Sequence, residues 1–123
     1  MAEEPRKMIL QTSPVKFALK PFERACGLLA WKDFGGMLVI APCRDVHTMG
    51  MRAPIDVAFI DGRGRVLEAH RMVGPFRRLR NRRAACVLER FSRCDTPWFR
   101  PGERIVLTAT DDGMGEPGEG EER

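Results

Sequence analysis

The sequence predicts a mainly β fold, a small antiparallel β-sandwich or partly closed barrel with one short helix, and three observations carry that expectation. Six or seven short runs of strand character recur along 123 residues, most of them bounded by Gly, Pro or Asp turn signals. Only residues 22–31 place their apolar side chains at helical spacing. The intervals between runs are too short for repeated β-α-β crossovers. A chain of this length supports one core, because two halves would each fall where burial becomes marginal.

The elements follow in chain order. Residues 8–10 and 15–19 read as strand pieces parted by Thr12-Ser13-Pro14. Pro21 suits the first turn of a helix over 22–31, in which Phe22, Cys26 and Leu29 recur on one face. Gly35-Gly36 releases the chain into a core strand over 37–41 that Pro42 closes, and 46–51 continues as a second extended segment. Residues 55–60 form the clearest strand. Asp61-Gly62-Arg63-Gly64 then reads as a hairpin turn into a paired strand over 65–69, and Val73-Gly74-Pro75 ends that element. Residues 84–91 read as a strand, although Ala84-Ala85 and the adjacent Arg83 leave a helix open, and with 104–109, beyond Pro101-Gly102, they look like the closing strands of the sheet. The expected organisation is a flexible N-terminus over 1–7, one β-rich domain over 8–110, and a disordered acidic tail over 111–123.

The net charge of +4 hides a division of the chain. Residues 111–123 hold six acidic residues against one Arg, which leaves +9 on residues 1–110. Arg77, Arg78, Arg80, Arg82 and Arg83 are the densest basic cluster and the candidate anion-binding group. Interleaved aromatics on a sheet or groove, which a nucleic-acid platform needs, cannot be read there, so a solvated Arg-rich loop is the plainer interpretation. Cys26, Cys43, Cys86 and Cys94 lack zinc-site spacing. No run is long and apolar enough to act as a signal or a membrane span, so the expectation is a cytoplasmic protein with reduced thiols and no membrane insertion.

The most informative stretch is Pro42-Cys43-Arg44-Asp45-Val46-His47-Thr48-Met49-Gly50-Met51-Arg52-Ala53-Pro54-Ile55-Asp56, a polar knot between two apolar runs. Extended through Asp61 and followed by Gly64-Arg65-Val66, it closely resembles the bacterial and archaeal family catalogued as domain of unknown function 192. Arg24-Ala25-Cys26-Gly27-Leu28-Leu29 resembles that family's opening helix motif, and Val87-Leu88-Glu89 with Pro101-Gly102-Glu103-Arg104-Ile105 its closing strands. The resemblance spans residues 15–109 and implies a small β-rich domain of sandwich or barrel type. It implies no activity, cofactor or catalytic residue. The chain departs from the family pattern over 90–99, where members typically carry a small-residue turn and a short helix.

Within the knot, Cys43, His47, Arg52 and Asp56 are the candidate pocket residues. Cys43 and His47 stand about 13 Å apart if extended, so a joint nucleophile or metal site requires a turn at Arg44-Asp45. His47 and Asp56 lie on segments that can run antiparallel through 50–54, as a general-base pair or as a buried polar link. Thr48, Asp45, Asp61 and Cys43 are the available third groups, and the hairpin can carry His70 towards them. Met49 and Met51 read as core packing rather than as soft-metal ligands. Arg52 reads as a surface link or an anion contact at a pocket mouth. Pro54, Gly50 and Gly62 read as residues that set the backbone path, the glycines through positive φ.

Nothing in these residues specifies a reaction. The expectation is a non-enzymatic accessory module that binds an unidentified small ligand or protein. The alternatives are a small hydrolase or metal-dependent enzyme using His47 and Asp56, and a nucleic-acid or anionic-surface binder using the Arg cluster. No metal site or cofactor is assigned.

Overall fold

The computed structural model describes residues 7–8, 14–30 and 34–106. The acidic tail, most of the expected N-terminal segment, and the expected strand or helix ends at residues 9–10, 31 and 107–109 lie outside that range. The described elements run β1 (Lys7–Met8), β2 (Val15–Ala18), α1 (Pro21–Cys26), a 3-10 turn (Gly27–Ala30), β3 (Met37–Ile40), β4 (Asp45–His47), β5 (Ile55–Ile60), β6 (Val66–Val73), β7 (Arg78–Arg80), β8 (Cys86–Phe91) and β9 (Arg104–Ile105).

Five strands form the main sheet in the order β2-β3-β8-β5-β6, while β4-β7 and β1-β9 make two-stranded ribbons. The sheets do not close into a barrel, and the fold is sandwich-like and mainly β. Most pairs are antiparallel, but β2 runs parallel to β3 because α1 and the 3-10 turn cross between them. The main sheet thus contains one β-α-β crossover among antiparallel pairings, and the β1-β9 ribbon is parallel as well. Pro21 opens α1, and Glu23 Oε1 accepts the Leu19 and Lys20 N–H groups at 3.3 Å each.

Every position of β5 is buried, since both faces of this inner strand are covered. On one face Leu38, Ile40, Ile55, Val57, Phe59 and Val87 pack with Leu28 of the 3-10 turn and with Val46 and Leu79 of the β4-β7 ribbon. On the other, Met37, Val39, Ala58, Ile60 and Leu88 pack with Trp98 and Phe99. The strand alternation of β8 sends Val87 and Phe91 to the first face and Leu88 to the second. Glu89 and Arg90 are consecutive and both buried, so one charged group enters each layer.

Several local readings differ from the sequence expectation. The helix ends at Cys26, where Gly27 takes φ 54° and its N–H bonds Glu23 O. β6 ends at Val73, where Val73-Gly74-Pro75 was expected to end it, and its pairing with β5 continues past Ala69 to the Ile55–Val73 register. β7 had read as loop: its one inward apolar residue, Leu79, sits opposite Val46. Met51 packs on the core, whereas Met49 is exposed because the turn at Met49-Gly50 breaks the alternation. In the β5-β6 hairpin the positive φ belongs to Gly64 and not to Gly62, while Gly50 adopts φ 83° as expected. Among the described residues, no helix is long and apolar enough to cross a membrane.

Candidate functional site

A cleft of about 480 Å³ opens where the bend after β3 meets α1 and the end of β7. Its walls are Arg24, Pro42, Cys43, Arg44, Asp45, Arg80 and Arg82. The backbone explains the convergence. Cys43 N–H bonds Ala85 O at 3.2 Å, which holds the bend against the chain entering β8, and Asn81 N–H bonds Arg44 O at 2.9 Å. Arg24 reaches across from α1 to donate through Nη1 to Pro42 O at 3.0 Å.

Asn81 orients the arginine-bearing turn from below. Its Nδ2 donates to Glu68 Oε2 at 2.8 Å, while its Oδ1 accepts the Arg83 N–H at 2.9 Å. Glu68 in turn contacts His70 Nε2 through Oε1 at 3.0 Å. With its backbone bonds also made, Asn81 fixes the path of the chain between Arg80 and Arg82.

Charge in the cleft is unbalanced. Asp45, the one carboxylate among the lining residues, is gripped by Arg78, which donates Nε to Oδ1 at 3.0 Å and Nη2 to Oδ2 at 2.6 Å. That hydrogen bonding holds the Asp45 carboxyl below its ordinary range. Arg80 approaches the same carboxylate only to 3.9 Å. Arg24, Arg44 and Arg82 have no carboxylate partner among the described residues, and the Nε of Arg24 is buried without any hydrogen-bond acceptor. Four guanidiniums thus surround a space whose one lining carboxylate among the described residues is already engaged.

Cys43 lies at the edge of this space with its Sγ donating to Asp45 O at 3.3 Å. Burial pushes its thiol above the usual value; the bond to Asp45 opposes that, while the charges of Glu89 and Asp45 add to it. Burial likewise pushes Cys86 to about 11. Both thiols stay protonated at neutral pH and lack the activation that nucleophilic cysteine chemistry needs. Among the described residues, no three His, Cys, Asp or Glu side chains converge as a metal-ligand set.

The structure joins Cys43 to Arg80 and Arg82, which the sequence had left as two separate candidates. It places the other residues elsewhere. Asp56 is 0 % exposed in the opposite layer: Oδ2 accepts Arg90 Nε at 2.8 Å, and Oδ1 accepts Ser92 Oγ at 2.7 Å and Met72 N–H at 3.0 Å. The Arg90 guanidinium also lies 4.7 Å over the Trp98 ring and donates to Thr96 O, so this cluster locks segment 92–98 to the sheet. His47 is exposed on β4, opposite Arg78, and its Nδ1 accepts the Met49 N–H at 3.1 Å. It is not among the partners of Asp56. Arg52 is exposed in the loop before β5. Arg77, Arg78 and Arg83 are exposed but do not line the cleft. Asp61 closes the hairpin turn by accepting the Arg63 and Arg65 N–H groups, and those bonds hold its carboxyl below the ordinary value.

Glu89 was missed as a special residue. It is buried, its Oε1 accepts the Leu28 N–H at 3.2 Å, and desolvation raises its carboxyl to about 7. The available signal was an acid inside the apolar run Val87-Leu88-Glu89-Arg90-Phe91. Arg24 was missed as well, because its 18-residue separation from Pro42 leaves no local pattern.

Comparison with known proteins gives a family and a fold. The family model of domain of unknown function 192, described as Uncharacterized ACR, matches residues 2–105. No curated protein matches the chain. A protein of unknown function from Novosphingobium aromaticivorans DSM 12444 is 20 % identical, with TM-score 0.56, over 63 % of this chain and 62 % of that one. The matched region is therefore less than two thirds of that relative's length. A structure from Sinorhizobium meliloti 1021, described as a "putative transcription regulator", is 23 % identical with TM-score 0.59, covering 73 % of this chain and 78 % of that one. At these identities the likeness is one of fold.

Proposed function

The chain belongs to the family of domain of unknown function 192, and we propose that this member is a binding module for a small anionic ligand, held in the cleft between α1, the Cys43 bend and the end of β7. One observation carries the reading: four guanidiniums face a cleft whose single carboxylate is held by a fifth, Arg78. Arg44 and Arg82 are the exposed recognition groups, Arg80 lines the cleft 3.9 Å from Asp45, and Arg24 braces the back wall. Guanidiniums match phosphate and carboxylate oxygens in paired hydrogen bonds, which favours an anion with two or more charges. The raised Cys43 thiol supplies a neutral wall. A cytoplasmic setting fits the four free thiols.

Calorimetric titration at low ionic strength with inorganic phosphate, pyrophosphate and citrate tests this reading. At least one of these anions is expected to bind, and Arg82→Gln or Arg44→Gln to weaken it by about tenfold, or ~1.4 kcal/mol. Equal binding by the parent and both variants, or no binding of any of the three anions, refutes it. Preferential binding of a single-stranded oligonucleotide, falling steeply with salt, transfers the basic surface to nucleic-acid recognition instead.

A further inference from the structure

A second surface lies around Thr48, distinct from the arginine cleft. Thr48 is 1 % exposed and acts as a polar hub: Oγ1 donates to Gly74 O at 2.7 Å and accepts the Arg77 N–H at 2.8 Å. Its backbone O accepts the Phe76 N–H at 3.3 Å, and its N–H bonds Arg77 O at 2.8 Å. This framework clamps the 74–77 loop against the 48–51 turn. Three large apolar side chains are exposed on the turn after Thr48, on the bonded loop and near the end of β6 that leads into it. Phe76 is 73 %, Met72 55 % and Met49 46 % exposed.

Two of these three occupy backbone that non-glycine residues avoid, Met72 at φ 55° and Phe76 at φ 62°. Such conformations persist where surrounding bonds over-determine them, and they concentrate at functional surfaces. The bonds are present here: Met72 N–H is held by the buried Asp56 carboxylate, and Phe76 N–H by Thr48 O. Met72 lies in β6 at the register shift opposite Asp56, and Phe76 in the loop that follows, so both apolar side chains are presented at positions that the backbone fixes.

The charge of the surface indicates what it receives. Residues 46–55 and 69–79 contain four arginines, Arg52, Arg71, Arg77 and Arg78, and no Asp or Glu. Arg71 and Arg78 are engaged, with Arg93 O and Thr96 O and with Asp45, whereas Arg52 and Arg77 are exposed and their side chains make no hydrogen bond or ion pair among the described residues. Apolar anchors beside unpaired guanidiniums fit a segment that carries carboxylates flanking an apolar side chain. Thioethers adapt their shape to such an anchor, and a preset backbone lowers the ordering cost of docking. We infer that the Met49–Met72–Phe76 surface docks an acidic, apolar-anchored segment of a partner protein.

The test uses the full chain and three labelled short peptides: one of Glu interspersed with Leu and Phe, one with Ser replacing Leu and Phe, and one with Lys replacing Glu. Fluorescence anisotropy is expected to show binding of the acidic apolar peptide alone. Phe76→Gly and Met72→Gly remove the apolar side chains while accommodating positive φ, so the variants keep their fold, checked by an unchanged or raised Tm, and each loses binding by roughly tenfold. The inference is overturned by an acidic apolar peptide that binds no better than its controls, or by glycine variants that bind as tightly as the parent. Tighter association of the chain with vesicles containing roughly one third phosphatidylserine than with that peptide also overturns it, because the surface then serves a bilayer.

Discussion

Replacing Glu89 by Gln removes a pH dependence whose size and sign follow from the burial of one carboxyl. In the unfolded chain this group titrates near 4.5, and in the folded protein desolvation moves it to about 7. Between those values the native state keeps a proton that the unfolded state releases, so stability falls as pH rises through the window and levels off above it. At ~1.4 kcal/mol per pH unit the loss reaches about 3 kcal/mol. The Gln amide oxygen accepts the Leu28 N–H in place of Oε1 and has no proton to lose. Asp45 and Asp61 act in the opposite sense: their lowered values give stability that is present above 3.8 and is lost as pH falls below it. Their windows do not overlap with that of Glu89. Urea denaturation of both proteins, from below pH 4.5 to above pH 7, is expected to give similar midpoints at the acid end and a more stable variant at the alkaline end. Parallel stability curves across that range refute the reasoning.

Gly27→Ala strains a backbone at φ 54° and sets Cβ 2.9 Å from Glu89 Oε1, a buried atom with little room to retreat, so chemical denaturation is expected to show a loss of about 1–3 kcal/mol. Asp56→Ala leaves the buried Arg90 guanidinium without its counter-charge and frees the Ser92 hydroxyl and Met72 N–H; a loss of roughly 3–5 kcal/mol is expected, and a change within the error of a surface substitution contradicts the assigned network. Deleting residues 111–123 removes six acids and one Arg, and if the tail competes for the arginine cleft, calorimetry shows tighter phosphate binding by the shortened chain at low salt. That difference collapses at high ionic strength, and equal affinities at low salt exclude the competition. Asn81→Ala severs the tie to Glu68 and the turn that orients Arg82, so phosphate affinity falls even though no cleft arginine is altered; unchanged affinity removes Asn81 from its positioning role.

The strands β3 and β5 were legible because each is a local statement: an apolar run of strand length, bounded by Gly, Pro or charged residues, has one economical way to bury itself, whereas Ala84-Ala85 left β8 open between strand and helix until its pairing with β3 and β5 decided it. The start of α1 was legible for the same reason, since Pro21 is prepared for a first helical turn. β7 was not, because a Leu between two Args becomes a strand only when Val46 is available opposite it. The polar knot shows the same limit at the level of function. Its composition marked candidate residues, and the partners of those residues came from elsewhere in the chain.

Sequence alone determined a mainly β fold and a basic body followed by an acidic stretch, and it marked the polar knot as a candidate. Tertiary structure decided that Cys43 joins Arg24, Arg80 and Arg82, and that Asp56 serves Arg90 and Ser92. It also decided that Glu89 enters one core layer while Arg90 enters the other. The physical reason is range. Turn chemistry and apolar periodicity act within a few residues, whereas the partner of a charged group is chosen by strand register and burial across tens of residues, where no local pattern records the choice.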